Sequence, residues 1–431
     1  MVAGAGAGCS LVKVQNIPTV YDEEFPAGEV VREIMVLGNK HTRTSVIART
    51  LATQVGDTLT VESILKNREW LDRLGVFTSI RFLTLKQPDG LVLFVQVTEA
   101  TPYLPSLSME LTEENGFSIG PALSAINFAG TATKVTGFAR FGGATNLQLR
   151  VEAPWRPRRR WTYSADMYWR DRTNKLDDFH EESGEVYLVA YRQVWEALRA
   201  GTRLDFLSIG ADTTGITLSR SNRDNIVGLS AFAEYDTRDV WANPKRGWHA
   251  ELALGYNRGI INTPASYVRA DLDLRRYIPL PLTARHSLAF YSLLTLMSGG
   301  VGFDIPLHQD FHIGGTNTVR GWELGAREGK HQFLNTLEYR FDVIQPKIVQ
   351  AWFFSTTVGV QLAGLVDVGT AWDTSTEFGD NFIAGYGAGI RLVMPSLGLL
   401  RFDFARGQAE IGVRFHIGGS EKAEASRYRV R

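Results

Sequence analysis

The chain has 431 residues, with 46 basic and 46 acidic side chains balancing to a formal net charge of +0, which excludes the strong one-signed field expected of a nucleic-acid or anionic-surface binder. A hydrophobic content of 44% with 11% aromatics excludes a disordered chain. Cys9 is the one cysteine, so no internal disulfide can form, and the length suits several ordinary domains or a small domain followed by a large β-barrel.

Residues 1–29 open with "MVAGAGAGCS". Small residues precede Cys9 as at the end of a lipoprotein signal, but the apolar core that such a signal needs is missing. A flexible segment is expected, and Cys9 receives no role.

Over residues 30–101 the hydrophobic period changes quickly. "VVREIMVLGN" reads as a strand ending at Gly38-Asn39, and "RTSVIARTLATQVGD" carries apolar residues at helical spacing. "TVESILKNREWLDRLG" repeats that spacing: Val61, Ile64, Leu65, Arg68, Leu71 and Leu74 share one stripe, with Thr60 as N-cap and Gly75 as the stop. Two β-rich runs, "VFTSIRFLTLK" and "LVLFVQVTEA", flank the turn signal "QPDG". The order β-α-α-β-β, with its strand–Gly-Asn–helix entry and Leu-Gly-Val-Phe exit, resembles a POTRA domain, the polypeptide-transport-associated module. Exposed edges of such a sheet can pair with an extended peptide by strand addition.

From residue 105 to 418 the period becomes two. "WTYSADMYWR" sets Trp161, Tyr163, Ala165, Met167 and Trp169 on one face, and "NTLEYRFDV" sets Leu337, Tyr339, Phe341 and Val343 against Thr336, Glu338, Arg340 and Asp342. The polar faces carry charges in mid-strand and the apolar faces turn aromatic toward their ends, as lipid-facing girdles do. Segments between turn signals number about sixteen over roughly 310 residues. Hydrocarbon tolerates such a sheet only if it closes, because open edges leave amides unpaired. A transmembrane β-barrel of about 16 antiparallel strands is therefore predicted behind the small α+β domain. The uncharged run Val349 to Val366 is long enough for a membrane helix, but its glutamines, glycines and β-branched residues favour strands. Residues 419–431 form a polar tail.

Four stretches of the β region resemble the BamA/TamA superfamily of outer-membrane assembly and translocation barrels: "YDTRDVWANPKRG", "VRGW" at Val319, Arg320, Gly321 and Trp322, "GLVDVGTAW", and "GYGAGIRLVMPSLGLLRFDFA". The strand count independently places "VRGW" in the sixth outward loop. A loop folded back into a lumen must satisfy its amides there, so Gly314, Gly315 and Gly325 help its backbone run close to the wall. An arginine taken into the lumen needs a carboxylate. By alternation Asp367 and Glu338 face inward, so Arg320 is expected to pair with Asp367, with Glu338 as a second acceptor. Trp322 adds an indole donor that needs a partner.

Other chemistry has little support. "GGTNTVRG" lacks the Gly-Lys-Ser/Thr of a phosphate loop, and no serine sits in a Gly-x-Ser-x-Gly context. His308 and His312 lie four apart beside Asp310, without ligand spacing, so no metal, cofactor or catalytic residue is expected.

The resemblance implies an assembly factor that inserts client proteins into the outer membrane, with the POTRA domain in the periplasm. Unfolded clients would engage the POTRA edge strand and a weak seam between the first and last barrel strands, here around Leu107 and Met109 and around Gly412 and Val413. Accessory assembly subunits are further implied partners, although a single POTRA module suggests few of them. The rival reading is a polypeptide translocation pore resembling two-partner secretion transporters, whose plug helix and second POTRA module are not evident here.

Overall fold

A computed structural model of the protein describes residues 28–154, 161–239, 243–351, 354–394, 398–407 and 413–418. The expected N-terminal segment, apart from Gly28 and Glu29, and the expected C-terminal tail lie outside these residues.

The first unit comprises β1 (Val31–Leu37), α1 (Thr44–Thr50), α2 (Val61–Asp72), β2 (Phe77–Gln87) and β3 (Gly90–Glu99). The sheet order is β1-β3-β2, with β1 parallel and β2 antiparallel to β3. Both helices pack on one face over Val31, Leu91, Leu93 and Val95. The start of α2 is a capping box: Thr60 Oγ1 accepts the Ser63 N–H, and Ser63 Oγ accepts the Thr60 N–H. The helix buries Ile64, Asn67 and Leu71, while Val61 and Leu65 are exposed, so the stripe drawn through Leu65 and Arg68 is rotated from the true core face. Asn67 displaces it because its carbonyl accepts the Ala52 and Thr53 N–H groups and its amide donates to Thr53 Oγ1. A hydrophobic template cannot register a buried amide that ties one helix to the chain end of another.

Behind this unit runs the barrel. Its first strands are β4 (Tyr103–Thr112), β5 (Gly116–Phe128), β6 (Thr133–Gly142), β7 (Thr145–Glu152) and β8 (Trp161–Asn174). There follow β9 (Phe179–Gln193), β10 (Leu198–Ala211), β11 (Arg223–Asp236), β12 (Gly247–Ile260), β13 (Ser266–Pro279) and β14 (His286–Met297). Two short strands, β15 (Phe311–Ile313) and β16 (Arg327–Gly329), form a separate ribbon. The barrel then resumes with β17 (His331–Ala351), β18 (Phe354–Trp372), β19 (Ile383–Met394), β20 (Gly398–Arg406) and β21 (Val413–Gly418). The sheet has 16 strands, antiparallel throughout and ordered by sequence from β4 to β21 apart from the ribbon. The described residues between Val349 and Val366 fall on β17 and β18, as strands, and no helix among the described residues is long and apolar enough to cross a membrane.

The burial pattern is inverted relative to a soluble sheet. On β17, Thr336, Glu338, Arg340 and Asp342 are buried while Leu337 and Tyr339 are exposed. Arg140, Arg275, Arg340, Arg391 and Arg401 are among the largest fully buried side chains. Charges therefore fill the lumen and apolar side chains face outward, the arrangement that lipid selects.

The front unit docks on the turn between β5 and β6. The Arg43 N–H donates to Gly130 O at 2.9 Å, the His41 ring meets Asn127 O at 2.8 Å, and Asn127 Nδ2 donates to Thr42 Oγ1 at 2.8 Å. Ala132 joins the hydrophobic core of the front unit. Glu99, at the end of β3, holds the same loop by accepting the N–H groups of Lys40, His41 and Thr42. Burial pushes the Glu99 carboxyl up, but the bonds from Thr42, His41 and Lys40 prevail and hold it below its ordinary value. A lowered carboxylate stabilises the folded form above the unfolded pKa and loses that contribution as pH falls through the folded one. Docking should thus weaken only below about pH 4.3, the ordinary glutamate value. Protease protection of the 39–43 loop, followed from pH 7 downward, should fall in that window in the wild type and be flatter and lower throughout in Glu99→Gln. Identical profiles would remove Glu99 from this role.

Candidate functional site

Eleven barrel strands, β4 to β14, precede the long connection of residues 298–330 to β17. This is the sixth loop on the side away from the front unit. It turns back into the barrel, because Phe311, Ile313 and Val319 are all buried in a cluster with Leu334, Ala371 and Ile383 of the strands. Within it, β15 and β16 pair antiparallel. The tip closes on itself, with the Gly315 N–H donating to Val319 O and the Gly314 N–H to Thr318 Oγ1. Gly314, Gly315 and Gly325 all hold positive φ.

Arg320 is wholly buried. Its Nε and Nη2 donate to the two oxygens of Asp367 on β18, at 2.7 and 3.0 Å, and its backbone N–H also donates to Asp367, at 3.1 Å. Nη1 reaches Glu338 on β17 at 3.0 Å and Asp403 on β20 at 2.8 Å. The structure thus brings Arg320, Asp367 and Glu338 into one cluster and adds Asp403. Planar guanidinium geometry suits the bidentate contact. The carboxylates are shared with strand arginines. Arg391 donates to Glu338 at 2.7 Å and to Asp403 at 2.9 Å, Arg340 donates to Glu338 at 2.9 Å, and Arg401 lies 3.5 Å from Asp403. Four guanidiniums therefore face three carboxylates, all on lumen-facing positions.

Asp403, Arg391 and Arg401 lie in a stretch whose resemblance is legible in sequence, yet no role attaches to them there. The signal that could have found them is the alternation of "LRFDFA", which puts Arg401 and Asp403 on the face opposite Phe402 and Phe404.

Two glycines make the approach feasible. A Cβ at Gly321, whose φ is +89°, would lie 2.5 Å from the backbone carbon of Arg406, and one at Gly385 would lie 1.8 Å from the Arg320 carbonyl oxygen. No side chain fits between loop and wall at these points. Trp322 finds its partner in the Ala384 carbonyl, 2.8 Å from the indole Nε1.

The loop also touches the turn after the first strand and the penultimate strand. Glu113, in the β4–β5 turn, accepts from Thr316 N–H at 3.0 Å and Thr316 Oγ1 at 2.9 Å, while Arg401 donates to Asn317 at 3.1 Å. The end strands themselves are β4 and β21, and among the described residues no hydrogen-bonded ladder joins them. Leu107 and Val413 are exposed, Met109 is half-buried, and Gly412 lies outside the described residues. In "YDTRDVWANPKRG", Asp236 holds Arg238 through two side-chain bonds, and Asp239 accepts the Lys245 and Arg246 N–H groups.

Comparison with known proteins accords with this geometry. Residues 127–422 match the Omp85 superfamily domain and residues 29–100 the POTRA family described as a surface antigen variable number repeat. Outer membrane protein assembly factor BamA of Neisseria meningitidis serogroup B is 22% identical over 431 residues, covering 90% of this chain and 53% of the relative. The chain spans about half the length of the curated relatives it matches over most of its sequence. Among solved structures, BamA from Haemophilus ducreyi lacking POTRA domains 1–3 superposes with a TM-score of 0.71 at 16% identity, covering 90% of this chain and 83% of that one. CdiB from Acinetobacter baumannii superposes with a TM-score of 0.57 at 13% identity, covering 88% and 70%. The likeness to these structures concerns the fold, whereas the domain match extends over more than half of the sequence. The chain belongs to the Omp85 superfamily: a sixteen-stranded barrel of the outer membrane, with a POTRA domain on its periplasmic side.

Proposed function

We propose that this chain folds and inserts β-barrel client proteins into the outer membrane. The observation that carries the reading is the sixth loop, anchored in the lumen by Arg320 on Asp367, Glu338 and Asp403 while it touches the turn after the first strand and a residue of the penultimate one. Anchored there, it blocks the lumen as a route and leaves the β4–β21 boundary as the place where an incoming strand can pair. Unpaired backbone groups in hydrocarbon are costly, so a boundary that shows no ladder among the described residues is poised to accept a client edge. Leu107 and Met109 on one side, and Gly412 and Val413 on the other, are the proposed seam. The POTRA sheet would receive the unfolded client at an edge strand and pass it to that seam, with accessory assembly subunits docking on the same domain. No covalent step is involved.

Purified protein in liposomes should speed the folding of a urea-unfolded outer-membrane barrel severalfold over protein-free liposomes. Planar-bilayer recordings should show small, fluctuating conductance, consistent with an occupied lumen. No acceleration would overturn the insertion reading, and large stable conductance steps alongside it would favour a polypeptide translocation pore.

A further inference from the structure

The outer face of the loop carries a group of side chains that the lumen network does not use. His312 on β15 and Glu328 on β16 stand directly opposite each other in the ribbon. Asp177, from the turn between β8 and β9, reaches the same point, and one donor atom from each of the three lies within 4.8 Å of the others. His312 Nε2 sits 3.3 Å from Asp177 Oδ1 in a side chain only 10% exposed, yet it has no hydrogen-bond partner among the described residues. Its other nitrogen, Nδ1, turns toward Gly325. Asp177 is held in place from behind: Asn174 Nδ2 donates to Oδ2 at 3.1 Å, which leaves Oδ1 to the cluster.

The surroundings are acidic and poorly compensated. Asp373, Glu328 and Asp177 all lie within electrostatic reach of Asp310, whose Oδ1 is buried without a hydrogen bond. The basic side chains closest in sequence bond to carbonyls instead: Arg327 to Ala326 O and Asn381 O, and Lys330 to Gly299 O. Among the described residues no arginine or lysine pairs with Asp177, Asp310 or Glu328. A buried imidazole nitrogen aimed at two carboxylates in a negative field lacks a cation rather than another protein donor.

We propose that Asp177, His312 and Glu328 form a binding site for a divalent first-row transition-metal ion, which ties the loop ribbon to the β8–β9 turn. One imidazole with two carboxylates suits Zn(II) or Mn(II) better than Ca(II) or Mg(II), which take oxygen ligands. Bonds of about 2.0–2.1 Å require donor separations of roughly 3.3 Å, and the exposed Glu328 side chain can rotate inward to close the gap. The site adds a second anchor for the loop, on its outer side, independent of Arg320. A second grouping, Glu234, Asp236 and His249, carries no such proposal, because Arg199 and Arg238 already pair with its carboxylates.

The test is calorimetric titration of Zn(II) into the chelator-treated full chain in detergent, together with tryptic cleavage after Arg327 and Lys330. The wild type should bind one ion at this site and be cleaved more slowly once loaded. His312→Ala and Asp177→Asn should each weaken binding more than tenfold and abolish the protection, whereas His249→Ala should alter neither. Heat-dependent gel migration of each variant establishes that the barrel has folded, and Glu328→Gln, which keeps shape and hydrogen bonding, serves if His312→Ala does not fold. Absence of a bound ion in the wild type, or a folded His312 or Glu328 variant that binds and is protected like the wild type, would overturn the proposal.

Discussion

Arg320→Ala should release the sixth loop from the lumen wall and reduce client insertion more than truncation of any other loop residue. Arg320 makes five hydrogen bonds to three carboxylates on β17, β18 and β20. Four of these leave with the side chain, and the buried oxygens of Asp367, Glu338 and Asp403 lose a donor in a space that water enters poorly. Removing one member of a buried ion pair costs about 3–5 kcal/mol, about two to three and a half orders of magnitude in the ratio of closed to open loop. Arg320→Lys should not restore it, since one ammonium cannot grip Asp367 with two parallel bonds while also reaching Asp403. Asp367→Ala should have a smaller effect, because Arg320 keeps Glu338 and Asp403, and the double variant should lose less than the sum of the two single losses, because both remove the Arg320–Asp367 contact. Tryptic cleavage of the loop and the liposome folding rate read this directly. Strictly additive losses would dismiss the pairing as the source of closure.

Asp403→Asn is the second large effect, and it should act on the barrel rather than on the loop alone. Asp403 sits against Arg320, Arg391 and Arg401. An asparagine keeps the size but leaves four guanidiniums facing two carboxylates, and its amide turns one acceptor into a donor pointed at arginines. Hydrogen exchange should quicken in β19 and β20, and the temperature at which the barrel loses its compact gel migration should fall. Arg401→Met placed on the same chain should restore part of the loss by lowering the excess positive charge. An Asp403→Asn barrel as resistant as the wild type would show that the excess charge is absorbed elsewhere in the lumen.

The two effects have a common physical basis. Buried ion pairs contribute little net stability, because desolvation offsets attraction, yet breaking one is costly. Such a network is therefore better suited to fixing where a loop rests than to strengthening the barrel. Its donors and acceptors come from the loop and from four separate strands, so only one placement of the loop satisfies them together.

Much of the architecture is written in local pattern. The switch from helical spacing before Ala100 to alternation after Pro105, the sixteen strands and the position of the long loop after the eleventh all follow from periods of 3.6 and 2 and from turn residues, each set within a few positions of the chain. The inward orientation of Asp367 and Glu338 follows from the same parity. Local pattern ends there. That Asp403, 83 positions from Arg320, shares its guanidinium with Glu338 depends on the register of the neighbouring strands β17 to β20, which sets Asp403 beside the loop. Asn67 takes a core position that the apolar stripe assigns elsewhere, because its hydrogen-bond partners lie at the end of the other helix. Asp177, His312 and Glu328 show no ligand spacing, since two stand opposite each other in the ribbon and the third arrives from a different loop. Period and parity tell each side chain which way to face. Only the assembled barrel, with the loop folded into it, decides what each one meets.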